Sequence, residues 1–188
     1  MFTYHNKDTA PAESHPLIEQ SIAAYGFHPT LHQILAEAPA TYHAYLETFR
    51  IFAEETTLSP LEQQVVMMTS NYENRCHYCT AGHSMLMQMM EMPADVIEAL
   101  REGTPIADAR LEKLRSFARD LLNTRGHVGD TRLQRFLDAG YNRRQALEVL
   151  TGLATKLLSN FTNALAHTEL DEPVKPLAWT HPDDRDAA

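Results

Sequence analysis

The groups able to do chemistry concentrate in one stretch, Asn71-Tyr72-Glu73-Asn74-Arg75-Cys76-His77-Tyr78-Cys79-Thr80-Ala81-Gly82-His83-Ser84. Cys76, Cys79 and His83 are three and four residues apart, so on a helix they stack on one face. A neutral imidazole one turn from a thiol can accept its proton, and the thiolate is the form that attacks a peroxide or a disulfide. A thiol at a helix N-terminus also gains from the positive end of the dipole. The dipole favours Cys76 as the more acidic thiol, whereas the base at i+4 favours Cys79. We assign attack to Cys79, because a sulfenic acid formed there can condense with Cys76 one turn away. In the implied cycle the Cys79 thiolate takes the terminal oxygen of a hydroperoxide and alcohol or water leaves. Cys76 then closes a disulfide, and an external dithiol reopens it. Such a cycle requires neither a metal nor an organic cofactor.

Rival readings use the same residues. Cys76, Cys79 and His83, joined by His77 or a remote histidine, would suffice for a tetrahedral zinc. The thiols could equally serve a non-catalytic redox sensor, or be buried and inert, and His83 could be a satisfied core histidine. A structural disulfide is a poor reading, since so short a loop removes little chain entropy.

The surrounding chain narrows the class. At 188 residues it fits one domain with its own core. A formal net charge of -9 argues against nucleic acid or an anionic membrane as main partner, because both require clustered Lys and Arg. The residues from Met1 to Asp8 lack an apolar h-region, and no run approaches the roughly 18 apolar residues of a membrane span. A cytoplasmic location is expected, where a Cys-x-x-Cys pair means redox or metal chemistry.

The elements that must position the thiols read as helices, with no sheet evident and only seven glycines. Helices are expected from His15-Pro16 to Gly26 and over Pro39–Glu55, where Tyr42, Tyr45, Leu46, Phe49 and Phe52 form an apolar stripe. Ser59-Pro60-Leu61-Glu62 carries a capping box and starts a helix that runs through Val65, Val66, Met67 and Met68 toward Asn74. Cys76–Glu91 follows as a second helix, or as the same one resumed after a break, and ends at Pro93. Others are expected at Ala94–Glu102, Asp108–Asn123 and Thr131–Ala139. The last, capped by Asn142 with Gln145, carries Leu147, Leu150, Leu153, Leu157 and Leu158 toward His167 and reads as core-forming. Residues 1–170 are therefore expected to form the helical domain, and residues 171–188, rich in Pro and Asp and holding the lone Trp179, an extended tail.

Several other features are weaker. Ser70-Asn71-x-x-Asn74 is echoed by Ser159-Asn160-x-x-Asn163, as a duplication or as two independent helix ends. Seven of the eight methionines fall between Met67 and Met92, as core or interface packing or as an adaptable apolar pocket beside the thiols. Histidines 5, 15, 28, 32, 43, 127, 167 and 181 receive no role. The charged faces of residues 101–119 and 132–144 read as solvated.

The segment from Leu58 to Glu91, about a fifth of the chain, resembles the Cys-x-x-Cys-x-x-x-His signature of the AhpD-like alkylhydroperoxidase and carboxymuconolactone decarboxylase family. The resemblance implies an all-α helical bundle assembling as a homo-oligomer. It implies peroxide reduction carried by Cys76, Cys79 and His83, with a lipoyl-type or thioredoxin-like dithiol as reductant. The decarboxylase branch works without the cysteine pair, which argues against that activity. The family's relay usually has a Glu twelve residues before the first cysteine, and here that position is Gln64, which cannot take a proton. Glu62 lies two residues earlier, about 200° around a helix, and should face elsewhere. Tyr78 stands where one branch has a second histidine and could supply a hydroxyl. Gln64, Glu62 and Tyr78 are thus the supporting candidates.

Overall fold

A computed structural model of the chain describes residues 2–185. Among them are ten α-helices and no strand: α1 His15–Tyr25, α2 Thr30–Leu35, α3 Pro39–Glu55, α4 Pro60–Glu73, α5 His77–Met89, α6 Ala94–Glu102, α7 Ala109–Asn123, α8 Gly129–Asp138, α9 Arg143–Ala166 and α10 Pro182–Arg185. The all-α expectation is met. Local chemistry accounts for most ends. Ser59 and Glu62 form the capping box of α4 and Asn142 and Gln145 that of α9, while Gly26 ends α1 at φ 77°. The short α2 has no side-chain cap and no signal in the sequence.

α4 is the axis of the bundle. Every residue from Glu62 to Asn71 is buried, so this helix has no solvent face and must satisfy its polar side chains internally. It packs on α5, α6, α7 and α9, and α3 lies along α9. Two apolar clusters result. One gathers Val65, Val66, Met67, Met68 and Met87 with Leu114, Phe117, Phe136 and Val149. The other joins Ile18, Leu31, Leu35, Tyr42 and Tyr45 to Cys76, Tyr78 and Cys79. The buried methionines belong to the first cluster, so they pack the core and do not line the thiols.

Two expectations are corrected. α9 splits its leucines between faces: Leu153 is buried, whereas Leu147, Leu150 and Leu157 are exposed. As far as residue 185 the segment after Asp171 is not extended, the last three residues of the expected tail lying outside the described residues. It forms a 3-10 helix over Glu172–Leu177 and then α10, with Val174 and Trp179 buried against the bundle. The Trp179 indole donates to the Arg101 carbonyl at 2.8 Å, and Arg185 pairs with Glu102. An indole whose N–H finds a partner can be buried without loss. Among the described residues no helix is long and apolar enough to cross a membrane.

Candidate active site

The thiols sit at the joint between α4 and α5. Arg75 adopts the left-handed conformation, φ 51°, where glycine is usual. The Cys76 N–H then reaches back to the Asn71 carbonyl at 2.9 Å and the Arg75 N–H to the Tyr72 carbonyl, a Schellman turn. The same turn makes Cys76 the N-cap of α5, so the helix begins one residue later than the sequence suggested. Cys79 lies in the first turn of α5, beside its unpaired N–H groups. Both cysteines are free and buried, about 5% and 4% exposed.

α9 supplies the other wall. Lys156, Ser159, Asn160 and Asn163 recur at helical spacing on its inner face, and all are at most 1% exposed. Asn163 Nδ2 lies 3.2 Å from Cys79 Sγ and 3.7 Å from Cys76 Sγ, so one amide donates to both sulfurs. Its Oδ1 has no hydrogen-bond partner among the described residues. Below it the echoed segments meet: the Asn160 amide is 3.0 Å from those of Asn71 and Asn74 and 3.2 Å from Ser70 Oγ. The echo therefore marks two helix stretches that face each other through a buried polar network.

His83 does not hydrogen-bond either thiol. Its Nδ1 is 2.8 Å from Gln64 Oε1, and its Nε2 is 2.9 Å from Lys156 Nζ. An ammonium can only donate, so Nε2 accepts and Nδ1 carries the proton that Gln64 receives. Burial, reinforced by the neighbouring lysine charge, holds His83 well below the usual imidazole range, which keeps it neutral. The expectation that His83 serves as the base on Cys79 finds no direct contact here: the imidazole bonds Gln64 and Lys156 and neither sulfur.

The two thiols are driven apart. Burial works against ionising Cys79. The Cys76 hydrogen bond, the Lys156 charge and the side chains of Ser159 and Asn160 outweigh it, and Cys79 is held well below the ordinary thiol range. Cys76, which gives its hydrogen bond to Cys79 and is itself buried, is pushed well above it.

Of the supporting candidates only Gln64 touches the site. Glu62 closes the capping box and pairs with Arg110 on the far side of α4. The Tyr78 hydroxyl donates to Asp171 and accepts from the Leu31 N–H at 3.3 Å, so it ties α2 and the chain after α9 together and brings the thiols no hydroxyl. No three His, Cys, Asp or Glu side chains among the described residues are arranged to hold a metal.

No protein-family model and no curated protein matches the sequence. Solved structures do. A peroxidase-related protein from Ralstonia eutropha described as an AhpD core superposes with TM-score 0.79 at 15% identity, over 92% of this chain and 93% of its own. One from a Silicibacter species gives 0.77 at 16%, over 92% and 91%. The debrominase Bmp8, with 2,3,4-tribromopyrrole bound, gives 0.76 at 16%, over 94% of each chain. The chain has the AhpD-like fold. Within that fold, sequence reasoning could group Cys76, Cys79, His83 and Gln64 because they are local to α4 and α5. It missed Lys156 and Asn163. For Asn163 the signal was the Ser-Asn-x-x-Asn echo, which placed polar side chains on a helix otherwise rich in leucine, and Lys156 lies outside that echo.

Proposed function

We propose that this protein is a thiol oxidoreductase that reduces organic hydroperoxides through Cys79 and Cys76. The observation that supports it most directly is the asymmetry of the pair: one amide, Asn163, addresses both sulfurs while the surroundings favour the thiolate at Cys79 and the thiol at Cys76. Attack needs one thiolate, and resolution needs a second sulfur within reach. The Cys79 thiolate attacks the distal oxygen of ROOH, the O–O bond breaks, and an S–O bond forms with loss of RO⁻. Cys76 sulfur then displaces hydroxide from the sulfenic acid. An external dithiol, lipoyl-type or thioredoxin-like, reduces the disulfide and is itself oxidised.

The unpaired Asn163 Oδ1 can accept the hydroperoxide O–H, and the layer of Leu31, Leu35, Tyr42 and Tyr45 suits an organic R group better than water. A zinc-bound module is disfavoured, because both nitrogens of His83 are engaged by Gln64 and Lys156. A sensor would have the same thiols but would oxidise once without turning over. Assembly as a homo-oligomer through the exposed face of α9 belongs to the same reading.

The test is intact mass of the reduced protein before and after a small excess of an organic hydroperoxide, then after a dithiol. Loss of two hydrogens, reversed by the dithiol, is expected, with catalytic turnover abolished in Cys79→Ser and in Cys76→Ser. Undiminished turnover in either variant would overturn the cycle. The Bmp8 likeness makes a bromopyrrole a sensible second oxidant in the same assay.

A further inference from the structure

Lys156 is a lysine side chain 1% exposed in the middle of α9, and its one recorded hydrogen bond is to the neutral His83. Among the described residues no carboxylate pairs with it. An ammonium has three donors and is costly to bury without an anion, usually a carboxylate. Among the groups that can ionise as acids, the thiols Cys76 and Cys79 of α5 feel the Lys156 charge, and the phenols Tyr78 of α5 and Tyr45 of α3 belong to the thiols' own cluster. His83 is the remaining titratable neighbour. α4 contributes the amides of Gln64 and Asn71, and α9 no other ionisable group on this face. Of the four acids Tyr78 is taken by Asp171. Tyr45 is fully enclosed, and burial raises it further above its already high range.

Resting on the thiol reading above, we propose that Lys156 is the counter-ion of the Cys79 thiolate and the proton carrier of the cycle, with His83 and Gln64 as residues that position it. The neutral His83 Nε2 fixes one N–H of the ammonium and leaves two for sulfur and substrate. Gln64 keeps the imidazole in the tautomer that can accept that bond.

The protons then balance without a carboxylate. Cys79 S⁻ attacks ROOH, and Lys156 protonates RO⁻ to ROH and becomes an amine. The amine takes the Cys76 proton, and Cys76 S⁻ attacks the sulfenic sulfur. The departing hydroxide recovers that proton as water. When the dithiol reduces the disulfide, the regenerated Cys79 thiol returns its proton to Lys156. The sum is ROOH plus dithiol giving ROH, water and the oxidised dithiol.

Two measurements on the full chain test this. In the first, iodoacetamide alkylation of Cys79 is followed against pH by peptide mass. The wild-type midpoint is expected below the ordinary thiol value of about 8.5. Lys156→Met should lower the neutral-pH rate at least tenfold, and Lys156→Arg should restore the profile. A wild-type midpoint at or above the ordinary value, or a folded Lys156→Met with an unshifted profile, overturns the proposal. The second needs no variant. The chain has four lysines, so the Lys156 13Cε resonance can be titrated in the reduced protein and after oxidation with diamide. Its protonation midpoint should fall when the disulfide removes the thiolate, and an equal midpoint in both states overturns the proposal. Neither readout uses a hydroperoxide. Shifted titrations without turnover would sink the peroxidase reading alone, and turnover with unshifted titrations would sink the Lys156 proposal alone.

Discussion

His32 shows how a single buried residue ties this molecule to pH. It is 2% exposed in α2, with Nδ1 2.8 Å from Ser21 Oγ and 3.2 Å from the Tyr42 hydroxyl, and burial with the adjacent His28 lowers it to about 3. The folded protein therefore binds this proton more weakly than the unfolded chain, whose histidine titrates near 6.5. Stability from this source is complete above about pH 6.5 and is lost as pH falls toward 3. At pH 5 the loss from His32 alone is about 2 kcal/mol. Urea unfolding at pH 7.5 and pH 5 should show it, and His32→Asn should shrink the difference between the two by about that amount. An unchanged difference would mean that the ring already accepts a proton in the folded state. The lowered His83 acts in the same direction, which is why the variant should flatten the dependence only in part. At this scale the sequence was legible where chemistry is local. Cys76, Cys79, His83 and Gln64 are separated by helical turns and could be read as a set. Lys156 and Asn163 lie some eighty residues on, and nothing in their own neighbourhood says that α9 brings Lys156 to His83 and Asn163 to sulfur.

Between elements, α9 comes close to α3 at Gly152. A Cβ at Gly152 would come within 2.6 Å of Phe52 Cζ, with Phe52 itself fully buried. Glycine inside a helix costs about 1 kcal/mol relative to alanine, so its place here is explained by the ring it admits. Overpacking a core by one methyl costs about 1–3 kcal/mol. Gly152→Ala should therefore leave the protein about 1 kcal/mol less stable despite the better helix propensity. Combining it with Phe52→Leu should cost less than the sum of the two single changes. Strict additivity in urea unfolding would show that the ring already has room to turn aside. Element ends were legible wherever a cap fixed them, as at Ser59, Asn142 and Gly26. They were opaque where tertiary contacts decide: α2 is one short segment held by its neighbours, and the left-handed turn at Arg75 occurs without glycine. The chain after Asp171 looked like a loose tail because its apolar residues are isolated in sequence. Trp179 and Val174 find their contacts only once α4, α5 and α6 are assembled.

At the scale of the whole molecule, the face of α9 opposite Lys156 and Asn163 has nothing against it. From Leu147 to Leu165 every exposed residue of this helix is apolar, and Leu147, Leu150, Ala154, Leu157, Phe161 and Ala164 follow one another at spacings of three and four. That is the 3.5-residue repeat of a helix that packs along a second helix, not the wider stripe of one facing a core. The sequence alone suggested that these leucines fill the interior. The structure turns Phe161, 58% exposed, and Leu165, 69% exposed, outward because α3 and α4 already occupy the inner face. Such a patch is large for an isolated monomer, and a two-fold pairing of α9 with its copy would cover it self-complementarily. Light scattering should therefore find an oligomer, and the double change Leu150→Glu with Phe161→Glu should yield a folded monomer. Because neither position is on the thiol face, the Cys79 alkylation profile should survive in that monomer. If the wild type scatters as a monomer at tens of micromolar, the stripe has some other occupant. If the double variant stays associated, the contact between copies lies on another face.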